Sequence, residues 1–428
     1  MAAEFPRLKL DRSLSMFEEA QRLAPGGVMG IRRPYNFVQG EYPIFIDRGY
    51  GGHIVDVDGN DYIDMLCGYG PIILGYDEKE INEAVKRQMD ERGFCFALVQ
   101  PVQNALEERL TKLIPCAEQA ILVKTGSDAT TLAVRIARGY TDRKLILRCG
   151  YHGWHDWCVE VRGGVPEEFT DLTLEFEYGK LGELEELLEK HRGQVAGIIV
   201  TPVGHPNAHP VVPPPEGYLQ GVRDLATKHG AVLIFDEVRT GFRVSMGGAQ
   251  ERYGVTPDLG TFGKAMANGY AISAVAGKRE FMKVVEKKVF VSSTFFPNSL
   301  EMVAAMKCID ILEREKVPSS IWERGTVFLE KLRKIVADSK VPCSVSGIPP
   351  MPYITFEQAP GEAPGTPGEK VYKARREYFY TQTIRRGLFV QPFHHWYIAH
   401  RHTDADLQKA LTAIAESLEL TAKKFPAS

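Results

Sequence analysis

Short apolar runs alternate with helical patterns through the middle of the chain. Ala120–Lys124 (AILVK) reads as a strand and Asp128–Tyr140 as a helix. Leu145–Arg148 reads as a second short strand. Leu181–His191 is helical and Val195–Val200 (VAGIIV) is a strand. Glu216–His229 is helical and Ala231–Phe235 (AVLIF) is a strand, with a further strand at Ala271–Ala276. Strands that alternate with helices imply βαβ units and a mainly parallel sheet covered on both faces. From Ser299 the period is helical to about Ala337. A Pro/Gly-rich segment, Pro349–Gly368, then reads as a surface loop. The cap signal Thr403-Asp404 opens a last helix over Asp404–Lys424. Near the start, alternation around Asp58-Gly59-Asn60 within Gly51–Asp64 predicts a hairpin. The pattern predicts an α/β fold with a large domain at 67–320. A smaller α+β domain is built from both chain ends, 1–66 and 321–428.

The length, 428 residues, suits two or three domains. Hydrophobic residues at 44% and charged residues at 25% exclude a disordered or collagen-like chain. Lys+Arg 52 against Asp+Glu 55 gives a net charge of −3, so no basic excess predicts binding to nucleic acid or an anionic membrane. No apolar run is long enough for a membrane span, and residues 1–14 lack a signal-peptide pattern. Seven scattered cysteines without a CxxC predict free thiols in a reducing cytoplasm, not a disulfide framework or a zinc ribbon.

Four features bear on chemistry. Thr125-Gly126-Ser127-Asp128 lies between a strand and a helix. It reads either as a phosphate cradle at a helix N-terminus or as a plain cap. Gly150-Tyr151-His152-Gly153 follows a strand, where an aromatic either stacks on a flat ring or packs on the core. Asp236 closes the Ala231–Phe235 strand, with Glu237 next. A buried acid needs a partner, either a protonated ring nitrogen or a salt bridge within the fold. Lys264, in Phe262-Gly263-Lys264-Ala265, is a candidate Schiff-base lysine or an ordinary surface lysine. Together a phosphate loop, a ring stacker, an acid and a lysine are the parts that hold pyridoxal 5′-phosphate (PLP).

With these segments in order, the chain resembles a class III aminotransferase of the fold-type I PLP superfamily. Within that family it is most similar to the glutamate-1-semialdehyde aminomutase-like branch. Further matching segments are Ala24-Pro25-Gly26-Gly27-Val28, Val55–Asp64, Phe235–Arg243 and Gly254–Asp258. The resemblance spans roughly residues 15–420. It implies that Lys264 is the Schiff-base lysine and proton shuttle, and that Asp236 pairs with the ring nitrogen. Tyr151 would lie on the ring face, with His152 beside it in the cofactor site. Gly126 and Ser127 would bind the phosphate. Thr294 matches a threonine that reaches the phosphate of the neighbouring subunit, which implies a homodimer with shared sites. Arg33 aligns with the arginine that holds a substrate carboxylate, with Arg32 adjacent as an alternative. Tyr69 and His394 fall where the family lines its substrate pocket.

The departures bear on the reaction. Thr201-Pro202-Val203 stands where the branch ends a strand in Glu-Pro-Val, and His394 stands where the aminomutase has a carboxylate. Val161–Thr170 is short for the gating loop. Ala265–Tyr270 departs from the triple-glycine form. Arg239 replaces a residue that is often glutamine near the cofactor's 3′-oxygen. The cluster His394, His395, Trp396, Tyr397, His400, His402 lacks standard metal spacing and is assigned to the substrate pocket or its surroundings. A short lid fits release of a keto product, so the reading is ping-pong transamination between an amine or amino acid and a keto acid or aldehyde. The aminomutase reaction is the alternative, ahead of racemisation or a non-catalytic binding role.

Overall fold

The computed structural model describes residues 2–204, 211–359, 361–366 and 368–426. The chain divides into two compact units. The larger comprises Lys79–Asn207 and Val212–Ser319, and the smaller Met1–Glu78, Ala208–Val211 and Ser320–Ser428.

The larger unit is built on seven strands. These are β1 (Gln119–Val123), β2 (Leu145–Cys149), β3 (Thr173–Glu175), β4 (Val195–Val200), β5 (Val232–Asp236), β6 (Leu259–Phe262) and β7 (Ser273–Gly277), in the order β1-β7-β6-β5-β4-β2-β3. β7 runs antiparallel to both its neighbours, and the remaining pairs are parallel. Alternating residues on these strands feed two cores. Ile146, Ile199 and Ile234 pack with Ala129, Leu132, Ala133 and Ile136 of α1 (Gly126–Thr141). Leu147, Cys149, Ile198, Val200, Leu233 and Phe235 pack on the other side with Leu184, Leu188, Tyr218 and Val222. Both faces of the sheet are therefore buried, which is why these strands read as unbroken apolar runs. The expected mainly parallel sheet with helices on both faces is the fold of this unit. The strand at 271–276 pairs in the antiparallel direction, and the helical stretch after Ser299 is two helices. Ser299–Arg314 and Val317–Ala337 are separated at Lys316, whose φ is +51°.

The smaller unit carries a four-stranded sheet ordered Ile46–Tyr50, His53–Asp56, Asp61–Asp64, Leu388–Phe389. The expected hairpin is present. The Asp56 carboxylate accepts bonds from the N–H groups of Asp58 (3.0 Å) and Asn60 (2.9 Å) and from the Tyr62 hydroxyl (2.7 Å). The last helix spans Asp404–Lys424, and Thr403 and Asp406 form a reciprocal cap.

One expectation fails. Within Pro349–Gly368, Met351–Phe356 is a mostly buried strand, antiparallel to Cys343–Ile348. Proline removes donors but keeps acceptors. The carbonyls of Pro350 and Pro352 accept bonds from the N–H groups of Ile398 (3.2 Å) and Trp396 (2.9 Å). The composition marked a loop where the prolines serve a strand through their oxygens.

Candidate active site

Four segments of the larger unit meet at the C-terminal ends of its parallel strands, where open α/β sheets bind ligands. Each begins where a strand stops: Gly150 after β2, Thr201 after β4, Asp236 at the end of β5, and Gly263-Lys264 after β6.

The α1 N-terminus is capped. Thr125 Oγ1 accepts from the Asp128 N–H (3.1 Å), and the Asp128 carboxylate accepts from the Thr125 N–H (2.8 Å). Gly126 and Ser127 occupy the first turn, whose N–H groups have no partner within a helix. The cap reading is what the bonds at Thr125 show, and a first turn of this kind is where a helix favours an anion. Gly126 allows Val238 to come close, since a Cβ there would lie 2.9 Å from Val238 Cγ1. The loop after β2 lies over this turn. Thr130 Oγ1 donates to the His152 carbonyl (2.7 Å), and the Trp154 N–H donates to Ser127 Oγ (3.3 Å). Gly153 has φ +114°, and a Cβ on it would sit 2.3 Å from Ser127 Oγ.

The Asp236 carboxylate is buried and held by three donors. His152 Nδ1 bonds Oδ2 at 2.8 Å, while Thr261 Oγ1 (3.0 Å) and the Val238 N–H (3.2 Å) bond Oδ1. Thr261 faces Asp236 because the two are register partners across β5 and β6. His152 is buried and its ring lies parallel to Trp157, centroids 6.2 Å apart. His152 therefore orients the acid. Tyr151 beside it is exposed at 42%. Glu237 has a different duty. It is fully buried, accepts bonds from Thr240 Oγ1 (2.6 Å) and the Ala249 and Gln250 N–H groups (2.7 and 3.0 Å), and burial raises its pKa.

Lys264 holds a left-handed φ of +44°, a conformation that costs a non-glycine residue energy and clusters at functional sites. Burial of its amine, then the Arg239 charge, pull its pKa from 10.5 down to about 8. Asp236 opposes this and Arg243 adds to it. Arg239 and Arg243 are both buried. A lysine so placed loses its proton far more readily than an exposed one, which makes it a better nucleophile and base near neutral pH. Thr261 and Arg243 were not singled out from the sequence. The only sequence signal for Thr261 is its place on the strand beside Asp236.

Thr294 is exposed on a groove of about 770 Å³ in the larger unit, with Phe96, Val99 and Phe296 among its walls. Arg33, Tyr69 and His394 belong to the smaller unit. There the Tyr69 and His394 rings meet edge-on at 5.2 Å, Tyr69 donates to the Ile31 carbonyl (2.9 Å), and the Arg32 guanidinium lies 5.8 Å from the Tyr69 ring centre. Arg33 turns back on its own loop, Nε to the Val28 carbonyl (3.3 Å). Of the histidine cluster, His402 is built in. Its Nδ1 accepts from the Ala399 N–H (3.0 Å), its Nε2 lies 3.1 Å from the Asp64 carbonyl, and burial pushes its pKa down to about 4. Among the described residues no group of three or more His, Cys, Asp or Glu is placed to hold a metal ion.

The sequence profile of the family "Aminotransferase class-III" matches residues 35–418. The chain belongs to the class III aminotransferases. It is 57% identical over 412 residues to the 3-aminobutyryl-CoA aminotransferase of Cloacimonas acidaminovorans, covering 96% of this chain and 98% of that protein. The glutamate-1-semialdehyde 2,1-aminomutase of Methanococcoides burtonii is 34% identical over 432 residues, covering 96% and 99%. Among solved structures, the FumI protein of Sphingopyxis sp. MTA144 in its PLP form superposes with a TM-score of 0.90 at 27% identity, covering 97% of this chain and 98% of that one. An omega-transaminase from Sphaerobacter thermophilus gives 0.86 at 26%, covering 96% and 97%. The enzyme is a PLP-dependent aminotransferase of fold type I, which moves an amino group between a donor and a keto acceptor. The aminomutases are more distant relatives.

The residues present fit PLP. An open helix start lies under a glycine loop with no room for a Cβ at Gly153, an oriented carboxylate ends the neighbouring strand, and a lysine with lowered pKa follows the next one. No helix among the described residues is long and apolar enough to cross a membrane.

Proposed function

We propose that this aminotransferase acts on β-amino acyl thioesters of coenzyme A, with 3-aminobutyryl-CoA as the type substrate. The single observation that carries the reading is the 57% identity, over nearly the whole of both chains, to the 3-aminobutyryl-CoA aminotransferase. Two local features support it. A thioester donor has no carboxylate for an arginine to grip, and Arg33 rests on the Val28 carbonyl of its own loop. Thr201, a short neutral side chain, stands where the aminomutase-like branch has glutamate.

In this proposal Gly126 and Ser127 bind the phosphate of PLP, Tyr151 lies on its ring, and Asp236, oriented by His152 and Thr261, keeps the ring nitrogen protonated. When bound, PLP supplies the electron sink for a carbanion. Lys264 would hold the cofactor through its amine and would move the proton to and from the carbon that bears the nitrogen. Its lowered pKa supports that double duty. Arg239, buried and close enough to act on Lys264, would help hold the cofactor on the side of its 3′-oxygen. Tyr69 and His394 line the donor site. Arg33 is assigned to the carboxylate of the keto acid in the second half-reaction. The working unit is a homodimer in which Thr294 reaches the partner's phosphate, a role supported by its exposed place on a groove of the larger unit. A cytoplasmic location is supported by seven cysteines that are all free.

The test is turnover of 3-aminobutyryl-CoA with a keto acid, read as formation of acetoacetyl-CoA. The proposal expects strict dependence on the keto acid and little turnover of free 3-aminobutyrate. Equal turnover of the free β-amino acid would refute the thioester specificity. Rearrangement of glutamate 1-semialdehyde without a second substrate would move the assignment to the aminomutase.

A further inference from the structure

Arg375 and Arg376 are neighbours on the helix Glu369–Arg385 of the smaller unit, yet their charges are treated differently. Arg375 is buried and grips both oxygens of Glu362, at 2.7 and 2.8 Å. Arg376 pairs with no carboxylate among the described residues. Its guanidinium lies 4.1 Å from the centre of the Phe393 ring and 5.4 Å from that of Tyr372, and its Nε is buried without a hydrogen-bond partner. Two aromatic rings thus hold a planar cation in place without neutralising it. That arrangement fixes the guanidinium fork before any ligand arrives, so less side-chain entropy is lost when an anion binds.

The location adds meaning. Phe393 is 40% exposed, so the edge of this stack is open to water. The next residue, His394, meets Tyr69 edge-on at 5.2 Å. The ring that stacks on the arginine is therefore carried by the same loop as the residue assigned to the donor.

We infer that Arg376, held between Phe393 and Tyr372, is a phosphate-binding site for the nucleotide end of a coenzyme A thioester. The inference rests on the substrate reading above. A guanidinium binds a phosphate with two parallel hydrogen bonds and matches its charge. The amino acyl end of such a substrate is small, while its charge lies at the far nucleotide end. An enzyme that prefers the thioester to the free acid gains from a cation there.

The test has a direct arm and a kinetic arm. Binding of adenosine 3′,5′-bisphosphate, the nucleotide fragment without thioester or amine, is measured by calorimetry on the PLP-loaded enzyme. Wild type is compared with Arg376→Met, which keeps the apolar stem, and Arg376→Lys, which keeps charge but loses the fork. Loss of a charge-assisted contact at a part-exposed site predicts a Kd at least about tenfold weaker in Arg376→Met, with a smaller loss in Arg376→Lys. In the kinetic arm, the KM advantage of 3-aminobutyryl-CoA over its pantetheine thioester, which lacks the nucleotide, shrinks by the same factor. Unchanged circular dichroism and melting temperature exclude misfolding as the cause, and Arg376→Lys keeps the test decisive if Arg376→Met does not fold. No binding of the bisphosphate to wild type, or equal binding to all three proteins, would overturn the site. A wild type that favours the CoA thioester while Arg376→Met keeps the full advantage would sink the site and leave the substrate reading standing. A wild type with no preference for the thioester would fail the substrate reading, and the bisphosphate arm would still decide the site.

Discussion

Replacing Lys264 by methionine should stabilise the cofactor-free protein near neutral pH. The fold pulls the pKa of this amine from 10.5 to about 8, through burial and the Arg239 charge, with Arg243 adding and Asp236 opposing. At roughly 1.4 kcal/mol per tenfold, that fall corresponds to about 3 kcal/mol. The residue keeps part of its surface exposed, so solvent screening reduces the figure to about 1.5–3 kcal/mol. Below about pH 8 the amine is protonated in both folded and unfolded chains, and the fold bears the whole cost. Between about 8 and 10.5 the unfolded chain holds more protons than the folded one, so stability rises with pH. Above 10.5 the amine is neutral in both and the cost is gone. The φ of +44° burdens lysine and methionine alike and cancels in the comparison. The assay is thermal or urea unfolding of PLP-stripped wild type and Lys264→Met from pH 7 to 11. The expected result is a Lys264→Met midpoint a few degrees higher at pH 7, with the gap closing by pH 10.5. Arg239→Met in the wild-type background should narrow the gap, because it removes the second-largest cause. A wild type more stable than Lys264→Met at pH 7, or a gap that ignores pH, would refute the reasoning.

Three further outcomes follow from the geometry. Gly153→Ala combines about 1–2 kcal/mol of backbone strain with a Cβ 2.3 Å from Ser127 Oγ. It should weaken PLP binding to the stripped enzyme at least about tenfold, whereas Gly164→Ala (φ +83°, no atom within 4 Å) should leave PLP affinity unchanged in the same titration. His152→Phe keeps the ring beside Trp157 but removes one of three bonds to Asp236. A bond to a charged group is worth about 1.5–3 kcal/mol, so kcat should fall roughly 10- to 100-fold, and a kcat equal to wild type would remove the orienting role. Glu362→Ala strands the buried Arg375 guanidinium and should cost about 3–5 kcal/mol in urea unfolding, with a loss under 1 kcal/mol counting against the pair.

Strand and helix positions in the larger unit were legible because periodicity there has one cause. Runs such as Val195–Val200 are covered by Ala133 and Ile136 on one face and Leu184 and Leu188 on the other, so every residue is apolar. The candidate site was legible for the same reason, since Gly150, Asp236 and Lys264 each follow a recognisable run. Where composition and structure part, as at Met351–Phe356, the deciding factor is a pair of prolines whose carbonyls bond to residues more than forty positions away.

In the larger unit, sequence alone determined which segments are strands, which are helices, and which chemistry-bearing residues stand at their ends, because these follow from local period and turn chemistry. Tertiary structure decided what each of those residues does. Asp236 and Glu237 are adjacent acids with the same local signal. Asp236, the last residue of its strand, bonds His152, 84 positions away, and Glu237, the first residue past it, bonds the buried start of the helix Gly248–Tyr253. Lys264 is one of many lysines by sequence. Its left-handed backbone and lowered pKa arise only where burial brings it beside Arg239 and Arg243. Charge, desolvation and orientation depend on distances through space, and those exist only once the chain has folded.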